Sequence, residues 1–367
     1  MIYLDNAATT MKKPDEVVEA VARAMTSFGG VGRGVHPASV AALLGAPGAD
    51  RVAFAANATG ALNIAIDGLL PDGAKAVTTA ASHNSVLRPL NKARDERGCA
   101  LEVVPVDARG ALDYEALERA VRGASLVAVT HASNLTGDVY DAARIAAVAH
   151  AAGAAVVLDA AQTAGAFPLS MADLGVDVVC FTGHKGLLGP QGTGGLCVAE
   201  GVDIAPLLEG GSGTHSFDER HPRFMPEALE AGTLNAHGLA GLAAGVGYVA
   251  QRGVTDIAAH EAALASRLEG ALADVSAVKL YGGGGDAGRA GIVALNVGDL
   301  DSAVVADYLA TEWGICTRAG AHCAPLMHEA LGTAAQGAVR VSFSPFTTVE
   351  EIDVCVEALV AAAHDIA

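Results

Sequence analysis

The feature that most constrains the fold is an alternation of strand-like and helix-like segments between about residues 50 and 200. The strand predictions rest on short runs of β-branched and apolar residues, at 51–56, 75–79, 101–106, 126–130, 155–159 and 176–182. Helical spacing of apolar residues occurs between them, at 60–70, 85–97, 113–122 and 142–152. Such an alternation predicts an α/β domain built on a mostly parallel sheet.

The chain changes character near residue 240. A long Ala/Leu-rich helical region is followed by a predicted strand, helix, strand and closing helix at 291–297, 303–312, 339–344 and 349–363. We therefore predict a large α/β domain over 15–240 and a smaller α+β domain over 1–14 and 241–367. Ligands of parallel sheets bind beyond the carboxyl ends of the strands, so polar residues that follow strands are the candidates for a site.

Composition excludes several classes of protein. The chain has 41 acidic and 23 basic residues, a net charge of −18 and no Lys/Arg-rich run, so we expect no nucleic-acid binding. The longest uncharged apolar stretch, 145–158, is shorter than the roughly 20 residues of a membrane-spanning helix, so we expect no membrane insertion. No signal peptide is evident and the six cysteines form no C-x-x-C pair, which predicts a cytoplasmic protein with free thiols and no metal site.

Two charged residues follow neighbouring predicted strands. Asp159 comes after four apolar residues, and Lys185 lies in the segment T-G-H-K-G at 182–186. Taken alone, the acid could cap the next segment and the lysine could be solvated, a nucleophile or a cation facing phosphate. Together they suit a pyridoxal 5′-phosphate site, in which Lys185 forms a Schiff base and Asp159 keeps the ring nitrogen protonated.

A phosphate group would need backbone donors at the start of a helix. The segment N-A-T-G at 57–60, between the first predicted strand and a helix, offers them. The alternative interpretation is a simple N-cap by Thr59. The P-loop pattern is absent and no G-x-G-x-x-G lies between a strand and a helix, so a plain nucleotide-binding enzyme is poorly supported.

The second informative segment is R-A-G-A-H-C-A-P at 318–325. Cys323 lies beside His322 and near Arg318, and cationic neighbours favour a reactive thiolate. The alternatives are an inert buried cysteine and a zinc site with Cys316, although that spacing fits no usual ligand pattern. Arg340 lies within an apolar strand, where it could clamp a substrate carboxylate or form a structural ion pair.

These segments resemble the class V branch of fold-type I pyridoxal phosphate enzymes, and specifically the cysteine desulfurases. The matching motifs are Y-L-D-N-A-A-T-T at 3–10, S-H-N-S-V-L-R-P at 82–89, S-N-L-T-G at 133–137, D-A-A-Q at 159–162, T-G-H-K at 182–185, E-A-G-T at 230–233 and the loop ending in Cys323. That loop is similar to the one in the Suf-type and selenocysteine-lyase-like group. The resemblance implies a large domain with a mostly parallel sheet flanked by helices, plus a smaller α+β domain that carries the cysteine loop.

The resemblance also implies chemistry. Lys185 would hold the cofactor, His83 would stack on its ring and assist proton transfer, and Arg340 would bind the substrate carboxylate. Cys323 would take sulfur from L-cysteine, or selenium from L-selenocysteine, and hold it as a persulfide while alanine is released. An acceptor protein of unknown identity would then receive the sulfur, for purposes such as iron–sulfur cluster assembly.

The remaining implied roles concern the cofactor. The residues expected to bind pyridoxal 5′-phosphate are Thr59, Gly60, His83, Asn134, Asp159, Gln162, Thr182, His184, Lys185 and Thr233. Asp159 would pair with the pyridine nitrogen, while Gln162 and Asn134 would lie near the phenolic oxygen. Thr233 would reach the phosphate from the second subunit of a homodimer.

One departure from the family follows the R-G-V-H segment at 33–36. The chain is shorter there by roughly 13–15 residues, which is about four helical turns, and the role of His36 is open with it. We expect the segment to be missing from the sequence rather than lost by the protein, because residues 37 and 38 join two stretches that each look normal. Gly60 also stands where the family usually has Glu.

The resemblance leaves rival functions open. A selenocysteine lyase, a C–S lyase or another class V aminotransferase-like enzyme would use the same cofactor without a persulfide. A catalytically silent relative would act as a binding or scaffold protein, for which the shortened segment after His36 is the only support.

Overall fold

A computed structural model describes residues 1–27 and 36–366, so residues 33–35 of the R-G-V-H segment lie outside it. The strands are β1 (Ile2–Tyr3), β2 (Val52–Ala55), β3 (Lys75–Thr79), β4 (Ala100–Val104), β5 (Ala124–Thr130), β6 (Asp138–Val139), β7 (Ala155–Asp159), β8 (Val178–Thr182), β9 (Gly194–Val198), β10 (Val278–Tyr281), β11 (Gly288–Arg289), β12 (Ile292–Val297), β13 (Ile315–Cys316) and β14 (Val339–Ser342). The helices are α1 (Asp15–Ser27), α2 (His36–Leu44), α3 (Ala58–Leu69), α4 (Asn84–Arg97), α5 (Tyr114–Ala120), α6 (Ala142–Ala151), α7 (Met171–Leu174), α8 (Ala236–Arg252), α9 (Val254–Leu272), α10 (Ser302–Trp313), α11 (Pro325–Leu331) and α12 (Val349–Asp365).

The central sheet has seven strands in the spatial order β2-β9-β8-β7-β5-β3-β4. Strands β4, β3, β5, β7 and β8 run parallel, whereas β9 pairs antiparallel with both β8 and β2. The mostly parallel sheet predicted from the sequence is therefore confirmed. Strand β9 was not predicted, because it begins with two glycines, and at Gly195 a Cβ atom would lie 2.3 Å from the carbonyl oxygen of Ala53.

Helices cover both faces of this sheet, which is why its strands are nearly continuous apolar runs. Alternate residues of one strand enter different cores: Val157 packs with the cluster around helices α3 and α4, whereas the next residue, Leu158, packs with the cluster around α6. All five residues of β8 are buried. The carboxyl ends of β7 and β8 therefore lie beside each other on a rigid base.

A second sheet, β10-β12-β14, is antiparallel and packs against α9, α10 and α12. Its core includes Leu268, Val293, Leu295, Val341 and Leu359. The predicted domain boundary at residue 240 falls inside helix α8, which is continuous from Ala236 to Arg252. The domain ranges themselves stay a prediction. No helix among the described residues is long and apolar enough to cross a membrane.

Residues 37 and 38, where the chain is shorter than in the family, lie within helix α2. Helix α2 begins at His36 and has Pro37 in its first turn, where the missing N–H has no helical partner to lose. The helix continues without a break to Leu44, and Val40 and Leu44 are buried in the large core. The expectation that the family's segment is missing from the sequence rather than lost by the protein stays a prediction.

Candidate active site

A pocket of about 480 Å³ opens beyond the carboxyl ends of β5, β7 and β8, as expected for a parallel sheet. Its lining residues are Asn57, Ala58, Thr59, His83, Ser85, Thr130, Asn134, Asp159, Ala161, Gln162, Thr182, His184 and Lys185. Most of the residues singled out in the sequence therefore meet in one place. Gly60, Thr233, Cys323 and Arg340 do not line this pocket.

Asp159 is the last residue of β7 and is buried. Its Oδ1 accepts a hydrogen bond from the backbone N–H of Ala161 at 2.9 Å, so the capping role considered as an alternative is present. Burial raises the pKa of Asp159, while this hydrogen bond and the charge of Lys185 act in the opposite direction. A carboxylate at the floor of the pocket can accept a hydrogen bond from a ligand's protonated ring nitrogen.

Lys185 is carried by a tightly packed loop after β8. A Cβ atom at Gly186 would lie 2.7 Å from the carbonyl oxygen of Ala164, and one at Gly183 would lie 2.1 Å from Oγ1 of Thr193, so only glycine fits at either position. Burial of the ammonium and, after it, the charge of Arg340 lower the pKa of Lys185 to about 8, and Asp159 opposes the shift. A substantial neutral fraction near physiological pH makes the amine a nucleophile.

Helix α3 begins at the pocket with Asn57 as its N-cap. Asn57 Oδ1 accepts a hydrogen bond from the N–H of Gly60 at 2.9 Å, so the alternative that Thr59 is the cap is wrong. This bond occupies the Gly60 N–H, and Gly60 faces a different hollow, which removes the reason for expecting it to bind phosphate. Thr59 and Ala58 do line the pocket, at a helix start that suits an anion.

Three buried polar atoms of the lining residues have no hydrogen-bond partner among the described residues. They are Oγ1 of Thr182, Nδ1 of His184 and Oδ1 of Asn134. Buried polar atoms are nearly always hydrogen-bonded in folded proteins, so such a cluster marks the place of a polar ligand. With Lys185 and Asp159 beside them, the residues fit a phosphorylated pyridine aldehyde of the pyridoxal 5′-phosphate type.

His83 caps helix α4 and is neutral. Its Nδ1 accepts the backbone N–H of Ser85 at 3.0 Å, which leaves the proton of the neutral ring on Nε2. Burial, followed by the charge of Lys185, lowers the pKa of His83 to about 4. Ser85 Oγ lies 2.9 Å from His83 Nδ1 and 2.8 Å from Thr59 Oγ1. Sequence reasoning missed Ser85 as a site residue, although it stands in the quoted S-H-N-S motif.

Arg340 lies in β14 beside the pocket and is 2% exposed. Its Nη2 donates to Asp5 Oδ1 at 2.8 Å and its Nη1 donates to the backbone oxygen of Asn134 at 2.9 Å. The structural ion pair considered as an alternative is therefore present. Asp5 was not identified as a site residue, although it is the acid of the quoted Y-L-D-N motif.

Cys323 is exposed and lines a second, more open hollow that shares Thr59, His83 and Ser85 with the pocket. The thiol therefore lies at the mouth, and the alternative of an inert buried cysteine is wrong. The expectation that His322 acts on it as a cation is also wrong. Burial lowers the pKa of His322 to about 3, and its ring Nε2 lies 2.9 Å from the carbonyl oxygen of Ala338. The described residues contain no cluster of three or more potential metal ligands.

Thr233 is exposed and lines a separate hollow of about 1050 Å³ with apolar residues that include Leu207, Leu208 and Leu229. It lies outside the pocket of its own chain. A contribution across a dimer interface stays a prediction.

Comparisons with known proteins agree with this site. The family described as aminotransferase class-V matches residues 2–355. A probable cysteine desulfurase of Methanothermobacter thermautotrophicus is 33% identical over 98% of this chain and 94% of the relative. Among solved structures, the apo cysteine desulfurase of Thermococcus onnurineus NA1 has a TM-score of 0.93 at 33% identity, covering 100% of this chain and 95% of that one. The S-sulfonic acid form of the cysteine desulfurase CsdA from Escherichia coli has a TM-score of 0.90 at 29% identity, covering 99% and 94%. The chain belongs to the aminotransferase class-V family, and its relatives within that family include cysteine desulfurases.

Proposed function

We propose that this protein is a pyridoxal 5′-phosphate-dependent cysteine desulfurase that converts L-cysteine to L-alanine and holds the sulfur as a persulfide on Cys323. The observation that carries the proposal is an exposed thiol at the mouth of a pocket that contains Lys185 and Asp159. Family membership alone does not require a thiol, because only the sulfur-accepting step uses one.

When bound, the cofactor supplies an electron sink that weakens the bonds at the substrate's Cα. Lys185 would hold it and move the proton at Cα, a task suited to an amine whose pKa lies at about 8 because of burial. Asp159 would keep the ring nitrogen protonated, and Asn134 and Gln162 would lie near the phenolic oxygen. Thr59, Thr182 and His184 would hold the phosphate.

Arg340 would draw the substrate carboxylate toward the site. The neutral ring of His83 would cover the face of the cofactor and offer its Nε2 for proton transfer. A neutral imidazole suits this place better than a cation, because it adds no repulsion to the charges of Lys185 and Arg340.

The sulfur step belongs to Cys323. Its thiolate attacks the substrate sulfur, so that an S–S bond forms while the bond from that sulfur to Cβ breaks. The electron pair of the broken bond stays with the carbon, which takes up a proton and leaves as part of alanine. The acceptor's thiol then attacks the outer sulfur of the persulfide and frees Cys323.

Mass spectrometry of the protein after incubation with L-cysteine tests this proposal. We expect one added sulfur on the peptide that contains Cys323, and none in Cys323→Ala. Cys316→Ala is the matched control, since Cys316 is less exposed and lies in β13. Unchanged sulfide release by Cys323→Ala would show that no persulfide is needed, and turnover with L-selenocysteine would then identify a lyase.

We further propose that the active form is a homodimer, with Thr233 reaching the partner's phosphate site. The apolar hollow beside Thr233, with exposed Leu208, supports a covered surface there. The six free cysteines support a reducing compartment such as the cytoplasm.

A further inference from the structure

Asp5 is held beside Arg340 by the backbone. Asp5 pairs with Ser342 in a parallel bridge, and the N–H of Ser342 donates to the carbonyl oxygen of Leu4 at 2.7 Å. The pairing sets the Asp5 carboxylate next to a side chain two residues earlier in β14. Among the described residues, Asp5 forms the only ion pair with Arg340.

Arg340 is in turn connected to the cysteine loop through Asn134. Arg340 Nη1 donates to the backbone oxygen of Asn134, and Asn134 Nδ2 donates to the backbone oxygen of His322 at 2.6 Å. The next carbonyl, that of Cys323, accepts the backbone N–H of Asn84 at 2.9 Å. Two consecutive carbonyls of the loop are thus tied to the walls of the pocket.

The backbone of this loop has a conformation that is unfavourable without stabilising contacts. His322 and Cys323 have φ angles of 48° and 55°, in the left-handed region that residues other than glycine rarely adopt. A conformation of this kind persists only where surrounding contacts hold it. Here these contacts include the bonds from Asn134 and Asn84 and the 2.9 Å contact of His322 Nε2 with the carbonyl oxygen of Ala338.

We propose that Asp5 is a positioning residue for the active site: it fixes the Arg340 guanidinium for the substrate carboxylate and, through Asn134, fixes the loop that carries Cys323. The inference rests on the proposed function for the identity of the substrate. Asp5 does not line the pocket, and it acts through Arg340.

The charge of Asp5 sets the direction of the Arg340 guanidinium. A guanidinium has five donors in a rigid plane, and a carboxylate on one edge fixes the direction of the others. Arg318 is the antiparallel backbone neighbour of Arg340, so a second cation lies close and would push an unpaired Arg340 away. Removing the charge of Asp5 therefore frees the guanidinium to turn, which weakens its bond to Asn134 and loosens the loop.

The test compares Asp5→Asn with Asp353→Asn. Asn keeps the shape of Asp5 and removes its charge, while Asp353 forms a similar pair with Arg267 (2.8 Å from Nη2 to Oδ2) far from these contacts on the surface. For Asp5→Asn we expect KM for L-cysteine to rise about tenfold with a smaller change in kcat. Hydrogen exchange of the peptide covering 318–325, measured without substrate, should become severalfold faster.

The control and a rescue variant complete the design. Asp353→Asn should match the unchanged protein in both measurements, and Asp5→Glu, which keeps the charge, should recover part of the loss even if Asp5→Asn folds poorly. Wild-type values of KM and exchange in Asp5→Asn would overturn the proposal, and a raised KM with unchanged exchange would overturn the connection to the loop. Failure of the unchanged protein to form alanine from L-cysteine would instead refute the proposed function, while the exchange comparison would still decide the role of Asp5.

Discussion

At the scale of single residues, burial sets the protonation states that the chemistry needs. Burial is the main cause of the low pKa values of His83 and His184, both at about 4, and of Lys185, at about 8. At neutral pH the two imidazoles are uncharged, whereas roughly a tenth of Lys185 is neutral. The histidines of the pocket therefore add no positive charge to those of Lys185 and of Arg340 beside the pocket.

The pKa of Lys185 can be tested through cofactor uptake. Capture of an aldehyde requires the neutral amine, so we expect the uptake rate of pyridoxal 5′-phosphate by the cofactor-free protein to rise with pH and level off above about pH 8. Stopped-flow absorbance measures this rate, and Lys185→Ala should show no covalent capture. A rate that still climbs steeply at about pH 10 would mean that Lys185 has the pKa of a solvated lysine.

Glu261 provides a prediction about stability. The residue is buried on α9, where Gly291 leaves room for it: a Cβ there would lie 2.6 Å from Glu261 Oε2. Burial raises the pKa of Glu261 well above its ordinary value, and Arg252 opposes the shift only in part. A raised pKa in the folded state means that the folded protein keeps a proton which the unfolded chain releases. The stability that Glu261 contributes is therefore fully present below about pH 4.5, and it is lost as the pH rises through the pKa that Glu261 has in the folded protein.

Glu261→Gln should remove this pH dependence. We expect the variant to gain free energy of unfolding relative to the unchanged protein as pH rises from about 5 to about 8, by at most about 1.4 kcal/mol per pH unit. Urea unfolding at several pH values measures the difference. Glu357→Gln, at an exposed position of α12, is the control and should show no trend. Parallel curves for Glu261→Gln and the unchanged protein would contradict the raised pKa.

At the scale of elements, the site depends on glycine packing around the Lys185 loop. A Cβ at Gly186 would meet both the Ala164 carbonyl oxygen at 2.7 Å and the Ala166 Cβ at 2.9 Å. We expect Gly186→Ala to destabilise the protein by about 1–3 kcal/mol and to reduce cofactor retention, because the loop must move. Thermal unfolding and the visible absorbance of purified protein measure the two effects.

A glycine in open surroundings provides the contrast. Gly247 lies within helix α8, and a Cβ there would have no neighbour within 4 Å. Gly247→Ala should therefore stabilise the protein by roughly 0.5–1 kcal/mol through helix propensity. Equal effects of the two alanine substitutions would show that packing at Gly186 is not the cause.

Sequence patterns predicted elements well where apolar spacing decides the structure. Strands β3 and β7 have the predicted bounds, 75–79 and 155–159, because their residues are buried runs between clear loops. Strand β9 could not be found this way, since its glycines are required by close contacts that only the assembled sheet creates.

The same distinction between local sequence pattern and contacts of the assembled fold applies to the site residues. Lys185 and Asp159 could be predicted, since Asp159 ends one strand and Lys185 lies in the segment that follows the next one. The capping role of Asn57 and the ion pair of Asp5 with Arg340 could not, because the first depends on where α3 begins and the second joins residues 335 positions apart. The residue pattern singled out Arg340 and Cys323 and the family resemblance supplied their roles, but neither revealed that His322 is buried and neutral.

At the scale of the whole molecule, one hollow has exposed apolar side chains in its lining. Leu208 is 69% exposed and Leu207 is 40% exposed, and both line the hollow that contains Thr233. Single exposed apolar residues are ordinary, whereas a group beside a large hollow indicates a covered surface.

We expect sedimentation velocity to give a dimer for the unchanged protein and a smaller species for Leu208→Glu, because a buried unpaired carboxylate at an interface is costly. Val304→Glu is the matched control, since Val304 is a 49% exposed residue of α10 outside this group. A Leu208→Glu protein that remains a dimer would place the interface elsewhere.

The fixed cysteine loop has a consequence for how sulfur leaves the protein. The carbonyl oxygens of His322 and Cys323 both accept hydrogen bonds from residues of the pocket walls. The loop backbone is therefore fixed and cannot carry the thiol of Cys323 away from the pocket. Any persulfide formed there must be collected where it was made. A recipient would have to bring a narrow projecting thiol to the rim. The hollow that Cys323 lines has Arg88 and Lys92 and no acidic residue among its described lining residues, so it would favour a recipient with an acidic approach face although the chain as a whole has a net charge of −18.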